Sequence, residues 1–146
     1  MKIENVMTRD IVTCSPNDLV HEIAQSMRAL DIGCMPVMEQ QRVIGMITDR
    51  DIVTRAVAKP GHPYVKDVMT REVISVGPNA TTEEAAEIMA QHKIRRIPVI
   101  KNDHLIGFVA LADIAVPAET VADASLALHQ ISEPRHNEEQ SPETYH

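Results

Sequence analysis

The tetrapeptide Val-Met-Thr-Arg occupies residues 6–9 and returns unchanged at residues 68–71, a displacement of 62 positions. The same displacement relates Pro-Asn at 16–17 to 78–79, Ile-Gly at 44–45 to 106–107, and Asp-Ile at 51–52 to 113–114. Between residues 6 and 52, 16 of the 47 positions are identical to their counterparts, and no gap is needed. The chain therefore carries an internal duplication. We expect the two copies to pack about a pseudo-two-fold axis, with a groove built from both.

Chain length and composition limit how these two copies fold. At 146 residues the chain has about the size of one domain. One copy of about 50 residues would form only a marginal hydrophobic core, so we expect the two copies to share one core. Aromatic residues make up only 2% of the chain, which leaves Ile, Val, Leu, Ala and eight Met to fill the interior.

Charge and cysteine content narrow the class of protein. The net charge of −7 disfavours general nucleic-acid binding, which needs basic surface against phosphate. No apolar run reaches the ~20 residues of a membrane span, and the first residues lack the apolar core of a secretory signal. Cys14 and Cys34 have no metal-ligand spacing, and they favour free thiols in a reducing cytosol over the alternative of a disulfide. We therefore expect a cytoplasmic protein without membrane contact.

Each copy predicts the order strand, helix, strand, strand, helix. In the first copy the strands are residues 11–13, 34–38 and 43–48, and the helices are 19–30, with Asn17 or Asp18 as cap, and 49–58. In the second copy they are strands 73–76, 96–100 and 105–110, and helices 82–92, with a capping box opened by Thr81, and from Leu111 onward. The fold class is α/β (α+β), with sheets covered by helices.

The domain boundaries follow from this pattern. Residues 1–58 form the first repeat, 59–64 a linker that contains two prolines and a glycine, and 65–117 the second repeat. Residues 118–131 predict a C-terminal helix with one apolar face, and the polar, proline-broken residues 132–146 predict a disordered tail.

The duplicated motifs, taken in order, resemble the cystathionine-β-synthase (CBS) domain family in its tandem form, the Bateman module. The likeness is carried by residues 6–8, 31–37 and 45–52 and by their counterparts 68–70, 92–99 and 107–109, and it spans about residues 1–116. The resemblance implies two β-α-β-β-α repeats about a pseudo-two-fold axis, in a small stand-alone CBS-pair protein. It also implies clefts that bind AMP, ADP or ATP, sometimes S-adenosylmethionine, as a regulatory ligand rather than as a required cofactor.

The junction between the strand ending at Ile47 and the helix beginning near Asp49 is the first candidate site. A helix start offers free N–H groups and the positive end of a dipole, which suit a phosphate. Thr48 adds a hydroxyl, and the two oxygens of Asp51 suit the vicinal diol of a ribose. The alternative is that Thr48 and Asp51 form a local helix cap with no ligand.

The resemblance assigns residues to two clefts, each built from both copies. Arg95 and Arg96 are the phosphate-clamp candidates, against the alternative of a solvated surface pair. The second cleft is the weaker one, because Ala110 stands where the first copy has Thr48, and Gly33 and Cys34 stand where the second copy has the arginines. The main cleft comprises Thr48, Asp51, Thr70, Ile74, Ser75, Arg95, Arg96 and Ile97, and the weaker cleft Thr8, Val12, Thr13, Cys34, Met35 and Asp113.

Two functional hypotheses follow, and neither is enzymatic. The first is a regulatory module that senses an adenine nucleotide and acts on an unknown downstream protein. The second is a ligand-independent, dimeric interaction adaptor with degenerate nucleotide sites. The sequence contains no motif typical of a hydrolase or a metalloenzyme, because the seven histidines are scattered and no nucleophile turn is present.

A homodimer is expected in either case. The helices at 49–58 and 111–116 carry apolar residues on more than one side, and large exposed apolar patches usually mark an interface. The resemblance also implies dimers that form through these helices, and the helix at 119–131 would extend the contact.

Overall fold

The computed structural model describes residues 1–115 and 121–132, so the predictions for 116–120 and for the tail at 133–146 lie outside the described residues. After a 3₁₀-helix at Ile3–Asn5, the first copy contains α1 (Val20–Leu30), β1 (Cys34–Glu39), β2 (Arg42–Thr48) and α2 (Asp49–Asp51), which continues as a π-helix over Ile52–Val57. The second copy contains α3 (Val65–Val68), α4 (Thr82–His92), β3 (Arg96–Lys101), β4 (His104–Ala110) and α5 (Leu111–Ala115), and α6 (Val121–Ser132) follows. No helix in these described residues is long and apolar enough to cross a membrane.

The two β-hairpins are copies of each other in register and turn. β1 pairs antiparallel with β2, and β3 pairs antiparallel with β4, each with a shift in register at the same point. The turn residues Gln40 and Gln41 have φ of 52° and 68°, and Asn102 and Asp103 have φ of 51° and 65°. Positive φ at both central residues is the geometry that matches the twist of a two-residue hairpin. The strands predicted at 34–38, 43–48, 96–100 and 105–110 are therefore confirmed.

The predicted opening strands, at 11–13 and 73–76, are wrong as strands. In each copy this stretch meets the sheet of its own copy at one residue. Cys14 forms a parallel bridge with Val37, and Val76 forms one with Val99. Two residues after each bridge the chain reaches a proline, which has no N–H to donate to a ladder. The pairing therefore ends at one residue in each copy.

The helix predicted at 49–58 begins as expected but changes type after one turn. The N–H of Ala58 donates to the carbonyl oxygen of Val53 at 3.0 Å, the five-residue spacing of a π-helix. The hydroxyl of Thr54 donates to the carbonyl of Arg50 at 2.8 Å, which is the acceptor that an α-helix would give to the N–H of Thr54. The side chain therefore competes with α-helical geometry at this point.

For the first long helix of each copy, the predicted cap is correct only in the second copy. α4 begins with the expected capping box, in which Thr81 Oγ1 accepts from the N–H of Glu84 at 3.1 Å. α1 has Leu19 at its N-cap position and no side-chain cap, so the expectation of Asn17 or Asp18 is wrong. Asp18 accepts instead from the N–H of Ser15, at 2.8 Å.

Each copy lends its opening segment to the hairpin of the other copy. Thr8, from the start of the first copy, forms two backbone hydrogen bonds with Phe108 on β4, at 2.8 and 2.9 Å. Thr70, from the start of the second copy, forms the same pair with Met46 on β2, also at 2.8 and 2.9 Å. This exchange builds the pseudo-two-fold pair that the repeat predicted.

The expectation of one shared core is wrong, because the described residues form two buried clusters. Val65, Val68 and Met69 from the second copy pack into the cluster of the first copy. Ile3 is fully buried in the cluster of the second copy, where Val6 and Met7 also pack. Each core is therefore completed by residues of the other copy.

The main contacts of the C-terminal helix α6 are all with helices of the second copy. It lies against α4 and α5. Ala124, Ala127 and Ile131 form its buried face and join the core of the second copy. Lys93 Nζ donates to the carbonyl of Gln130 at 2.7 Å, which holds the end of α6 near the end of α4.

We predict that Gly45→Ala destabilises the fold through the exchanged segment. A Cβ at Gly45 would lie 2.8 Å from the carbonyl oxygen of Thr70 and 2.8 Å from Met69 Sδ, and the backbone contact has no flexible end to move away. We expect a loss of about 1–3 kcal/mol, as for overpacking. Urea unfolding measures it, with Gly77→Ala as the matched control, because a Cβ there meets nothing within 4 Å. Equal stability of the two variants would contradict the role of Gly45.

Candidate functional site

The first residues of β1 and β3 bring the two copies together at the candidate site. Cys34 pairs with Thr48 in the first hairpin, and its counterpart Arg96 pairs with Ala110 in the second. The positive charge of Arg96 lowers the pKa of the Cys34 thiol, while the carboxylates of Asp51 and Asp49 raise it. Charges from both copies therefore act on one point, where β1 begins and α2 starts.

Thr48 and Asp51 form a reciprocal cap at the start of α2. The N–H of Asp51 donates to Thr48 Oγ1 at 3.1 Å, and the N–H of Thr48 donates to Asp51 Oδ2 at 3.0 Å. Asp51 is 9% exposed, and its Oδ1 lies 4.0 Å from Arg55 Nε. Arg55 in turn donates from Nη1 to the carbonyls of Val68 and Met69, both at 3.3 Å. The capping alternative is therefore present, whereas contact of Thr48 or Asp51 with a ligand stays a prediction.

The start of α2 does not offer the free N–H groups that the sequence suggested for a phosphate. The N–H of Asp49 donates to the carbonyl of Gly33 at 2.9 Å, and the N–H of Arg50 donates to Asp49 Oδ1 at 2.8 Å. The N–H groups of Thr48 and Asp51 are used in the cap. This part of the expectation is wrong, because nearby acceptors already satisfy the donors of the first turn.

The second copy keeps only half of this cap. The N–H of Ala110 donates to Asp113 Oδ2 at 2.8 Å, as in the first copy. Ala110 has no hydroxyl to accept from the N–H of Asp113, which is the difference that the sequence predicted. The N–H of Leu111 donates to the carbonyl of Arg95 at 2.7 Å and so ties the start of α5 to the start of β3.

The residues assigned to the main cleft fall into two groups in the structure. Thr70 lies on the edge of β2, near Thr48. The other group lies along the sheet of the second copy. Ile97 in that group is fully buried and belongs to the core of the second copy. This second group consists of Ile74, Ser75, Arg95, Arg96 and Ile97.

Arg95 and Arg96 line a cavity of about 350 Å³ at the junction of β4 and α5. Neither arginine has a carboxylate within 4.0 Å among the ion pairs of residues 1–115 and 121–132. The remaining lining residues, which the sequence did not indicate, are Ala110, Leu111, Ala112, Ala124, Ser125 and Leu128. The pattern of 121–131 indicated a helix, but no sequence signal indicated that this helix faces the arginines.

The residues of the weaker cleft also divide between the two hairpins. Thr8 lies on the edge of β4, whereas Met35 is 1% exposed and belongs to the core of the first copy. Val12 is 41% exposed and Thr13 is exposed, just before the bridge at Cys14. The last two members, Cys34 and Asp113, hold the positions described above. Whether these side chains contact a ligand stays a prediction.

Both cysteines are free thiols with raised pKa values. Burial raises the pKa of Cys14 to about 12, and the charge of Asp18 and the nearby Cys34 add to this. Burial raises the pKa of Cys34 to about 11 against the opposing charge of Arg96. Both side chains are therefore protonated near neutral pH and are poor nucleophiles.

We predict that Arg96→Gln slows the alkylation of Cys34 by iodoacetamide. Arg96 favours the thiolate, so its removal raises the pKa of Cys34 above about 11 and lowers the thiolate fraction at every pH below that value. In a Cys14→Ser background the alkylation rate between pH 7.5 and 9.5 should rise about tenfold per pH unit and be lower throughout in the variant. Arg95→Gln is the matched control. An unchanged alkylation rate in Arg96→Gln would place the guanidinium too far from the thiol to act on it.

Comparison with known proteins agrees with this architecture. The CBS domain model matches residues 3–58 and 65–116. The CBS domain-containing protein YhcV of Bacillus subtilis is 41% identical over 132 residues, which cover 89% of this chain and 94% of that protein. The likeness therefore extends over nearly the full length of both proteins.

Two solved structures share the fold. The crystal structure of Hypoxic Response Protein I with two coordinated zinc ions has a TM-score of 0.71 at 32% identity and covers 79% of this chain and 97% of that one. In residues 1–115 and 121–132 of the present chain, no group of three or more His, Cys, Asp or Glu side chains could hold a metal ion.

The second structure is the CBS domain pair of protein MJ0100 in complex with 5′-methylthioadenosine and S-adenosyl-L-methionine. It has a TM-score of 0.72 at 23% identity and covers 79% of this chain and 93% of that one, a likeness of fold alone. The family model covers both copies of the duplication, and a relative with 41% identity matches nearly the whole chain. The chain belongs to the CBS domain family, as a tandem pair of CBS repeats.

Proposed function

We propose that this CBS pair is a cytoplasmic, non-catalytic regulatory module that binds AMP, ADP or ATP between its repeats. The observation that carries the proposal is the position of Arg96, which lines a cavity of about 350 Å³ in the second repeat while its charge acts on Cys34 at the start of β1 in the first repeat. The guanidinium groups of Arg95 and Arg96 lack a salt bridge within the described residues, although the chain has a net charge of −7. Both side chains are exposed and have no ion pair within residues 1–115 and 121–132, so they are free to contact an external anion.

The chemistry of the arginines supports a phosphate as that anion. A guanidinium group presents planar pairs of N–H donors that match phosphate oxygens. The cavity is within the size range of small-molecule sites, and its other walls are mostly small or apolar. A phosphate would therefore meet the two arginines without a competing carboxylate from the described lining residues.

Asp51 supports the ribose half of the proposal. Its Oδ2 accepts from Thr48, but its Oδ1 has only Arg55 Nε nearby, at 4.0 Å, and retains the capacity to accept from a hydroxyl. The MJ0100 pair, which carries two adenosyl ligands, has the same fold. At 23% identity that likeness does not choose a ligand, so the proposal depends on the residues of this chain.

The second candidate is the ligand-independent adaptor, and the closed cap favours it. In the first copy the carboxylate and the hydroxyl of the T-x-x-D motif both serve local hydrogen bonds. A thermal-shift series with adenosine, AMP, ADP, ATP and S-adenosylmethionine separates the two candidates, because a ligand that binds only the folded protein raises its midpoint. No shift with any of these ligands at millimolar concentration would favour the adaptor.

We predict that Asp51→Ala weakens AMP binding more than Asp113→Ala does. Asp51 has the Thr48 hydroxyl beside it and Arg96 across the junction, whereas Asp113 has Ala110 beside it. Loss of hydrogen bonds to a buried diol costs about 1–3 kcal/mol, or roughly 5- to 150-fold in affinity by calorimetric titration. Thr48→Ala is the control, because it opens the cap but keeps the carboxylate. A larger loss with Asp113→Ala would assign the ribose to the other cleft.

We also propose that the chain forms a homodimer through its first copy. Val53 and Val57, one turn apart on the π-helix, are 59% and 72% exposed. In the second copy α6 lies against α5 and α4. The helical side of the first copy is thus the less covered of the two, and exposed apolar side chains in register favour association.

We predict that Val53→Lys/Val57→Lys shifts the protein from dimer to monomer in sedimentation at micromolar concentration. A lysine at each of these two positions would place a charged side chain in the interface. Its desolvation opposes association. Leu126→Lys on α6 is the matched control, since Leu126 is 57% exposed and lies beside α4, away from the π-helix. A wild-type protein that sediments as a monomer would contradict the dimer.

A further inference from the structure

The cavity beside the arginines has walls from two separate parts of the chain. Arg95, Arg96 and the residues 110–112 form one side. Ala124, Ser125 and Leu128 of α6 form the other side. Because α6 supplies a wall, the shape of the cavity depends on the position of this helix.

Neither the two arginines nor α6 has a counterpart in the first copy. The counterparts of Arg95 and Arg96 in the first copy are Gly33 and Cys34. The residues 62 positions before α6 are 59–70, which form the linker and the opening segment of the second copy, so α6 has no counterpart in the first copy. The one junction that carries two arginines is therefore also the one that an extra helix covers.

Most of the contacts that hold α6 lie apart from the cavity, and Ala124 is the residue that takes part in both. Ala127 and Ile131 are buried in the core of the second copy, and Lys93 Nζ donates to the carbonyl of Gln130. Ser125 lines the cavity but is itself exposed. Docking of α6 and filling of the cavity can therefore be changed by different substitutions.

We infer that the cavity between the β4–α5 junction and α6 is a site for a phosphorylated ligand, and that α6 is the element whose docking this ligand stabilises. The inference rests on the proposed function for the class of the ligand and adds the helix that responds to it. A ligand in the cavity contacts α6 only when the helix is docked, so it binds the docked state more tightly. By linkage, weaker docking lowers the affinity by the same factor.

Hydrogen exchange of the full-length protein tests the inference, with ATP and pyrophosphate as probes. We expect either probe to slow amide exchange across residues 121–132 by about 5- to 150-fold, the usual range of coupling between two sites. Arg95→Ala/Arg96→Ala should abolish the effect. Unchanged exchange in α6 at saturating ATP would overturn the inference. If ATP still bound in a way that depended on Asp51, the proposed function would stand although the inference had failed.

Two adjacent positions on α6 provide a matched pair of variants. Ser125→Trp fills the cavity and should reduce binding of pyrophosphate at least about tenfold, a change of about 1.4 kcal/mol in binding free energy. Leu126→Trp adds the same ring on the side that faces Glu83 and Glu87, and it should leave binding unchanged. Equal affinities of the two variants would overturn the inference.

A third variant tests the linkage without touching the cavity. Lys93→Met removes the hydrogen bond to Gln130, so it should speed exchange in α6 and weaken ligand binding by a similar factor. Faster exchange with unchanged affinity would overturn the linkage. Protection of α6 by pyrophosphate, together with no binding of any adenosine ligand, would uphold the inference while the nucleotide function failed.

Discussion

The exchange of opening segments between the two copies is the constraint on which the rest of the structure depends. Thr8 pairs with Phe108 and Thr70 with Met46, so that each hairpin gains an edge from the other copy. Val65 and Val68, both fully buried, complete the first core. Each contributes about 1.5–3 kcal/mol by burial. A copy of about 50 residues that lost such contacts would have a marginal core, so the duplication and the exchange stabilise each other.

Local sequence patterns predicted the helices and strands that local interactions stabilise. They failed where the exchange of opening segments determines the course of the chain. The hairpin strands follow from short apolar runs, and α4 follows from helical periodicity and a capping box. The run Ile11-Val12-Thr13 has strong β propensity, yet it does not form a strand. Its chain must cross from Thr8 on β4 to Cys14 beside β1, so it cannot follow one partner for more than a residue. Tertiary context overrides β propensity in this way because the propensity reflects pairing surroundings.

The sequence named candidate residues for the site, but it did not predict which of them lie together. The motif from Thr48 to Asp51 indicated a cap or a ligand contact, and the cap is present. The arginines were expected to face Thr48 and Asp51. In the structure Arg96 contributes to both copies. It lines the cavity beside Ala110 in the second copy, and its charge acts on Cys34 in the first copy. Sequence spacing does not contain this information, because it depends on how two repeats and α6 meet in space.

The pseudo-two-fold axis relates the two halves in geometry but not in chemistry. Asp49 and Arg50 at the start of α2 correspond to Leu111 and Ala112 at the start of α5, while Gly33 and Cys34 correspond to Arg95 and Arg96. The first half consequently concentrates carboxylates near the junction, where they raise the pKa of Cys34, and the second half concentrates guanidinium groups. A ribose phosphate has the same polarity, with hydroxyl donors at one end and an anion at the other. Divergence of the copies has thus given the two junctions different charge. For the nucleotide that we propose, this difference would direct the ribose toward Asp51 and the phosphate toward Arg95 and Arg96.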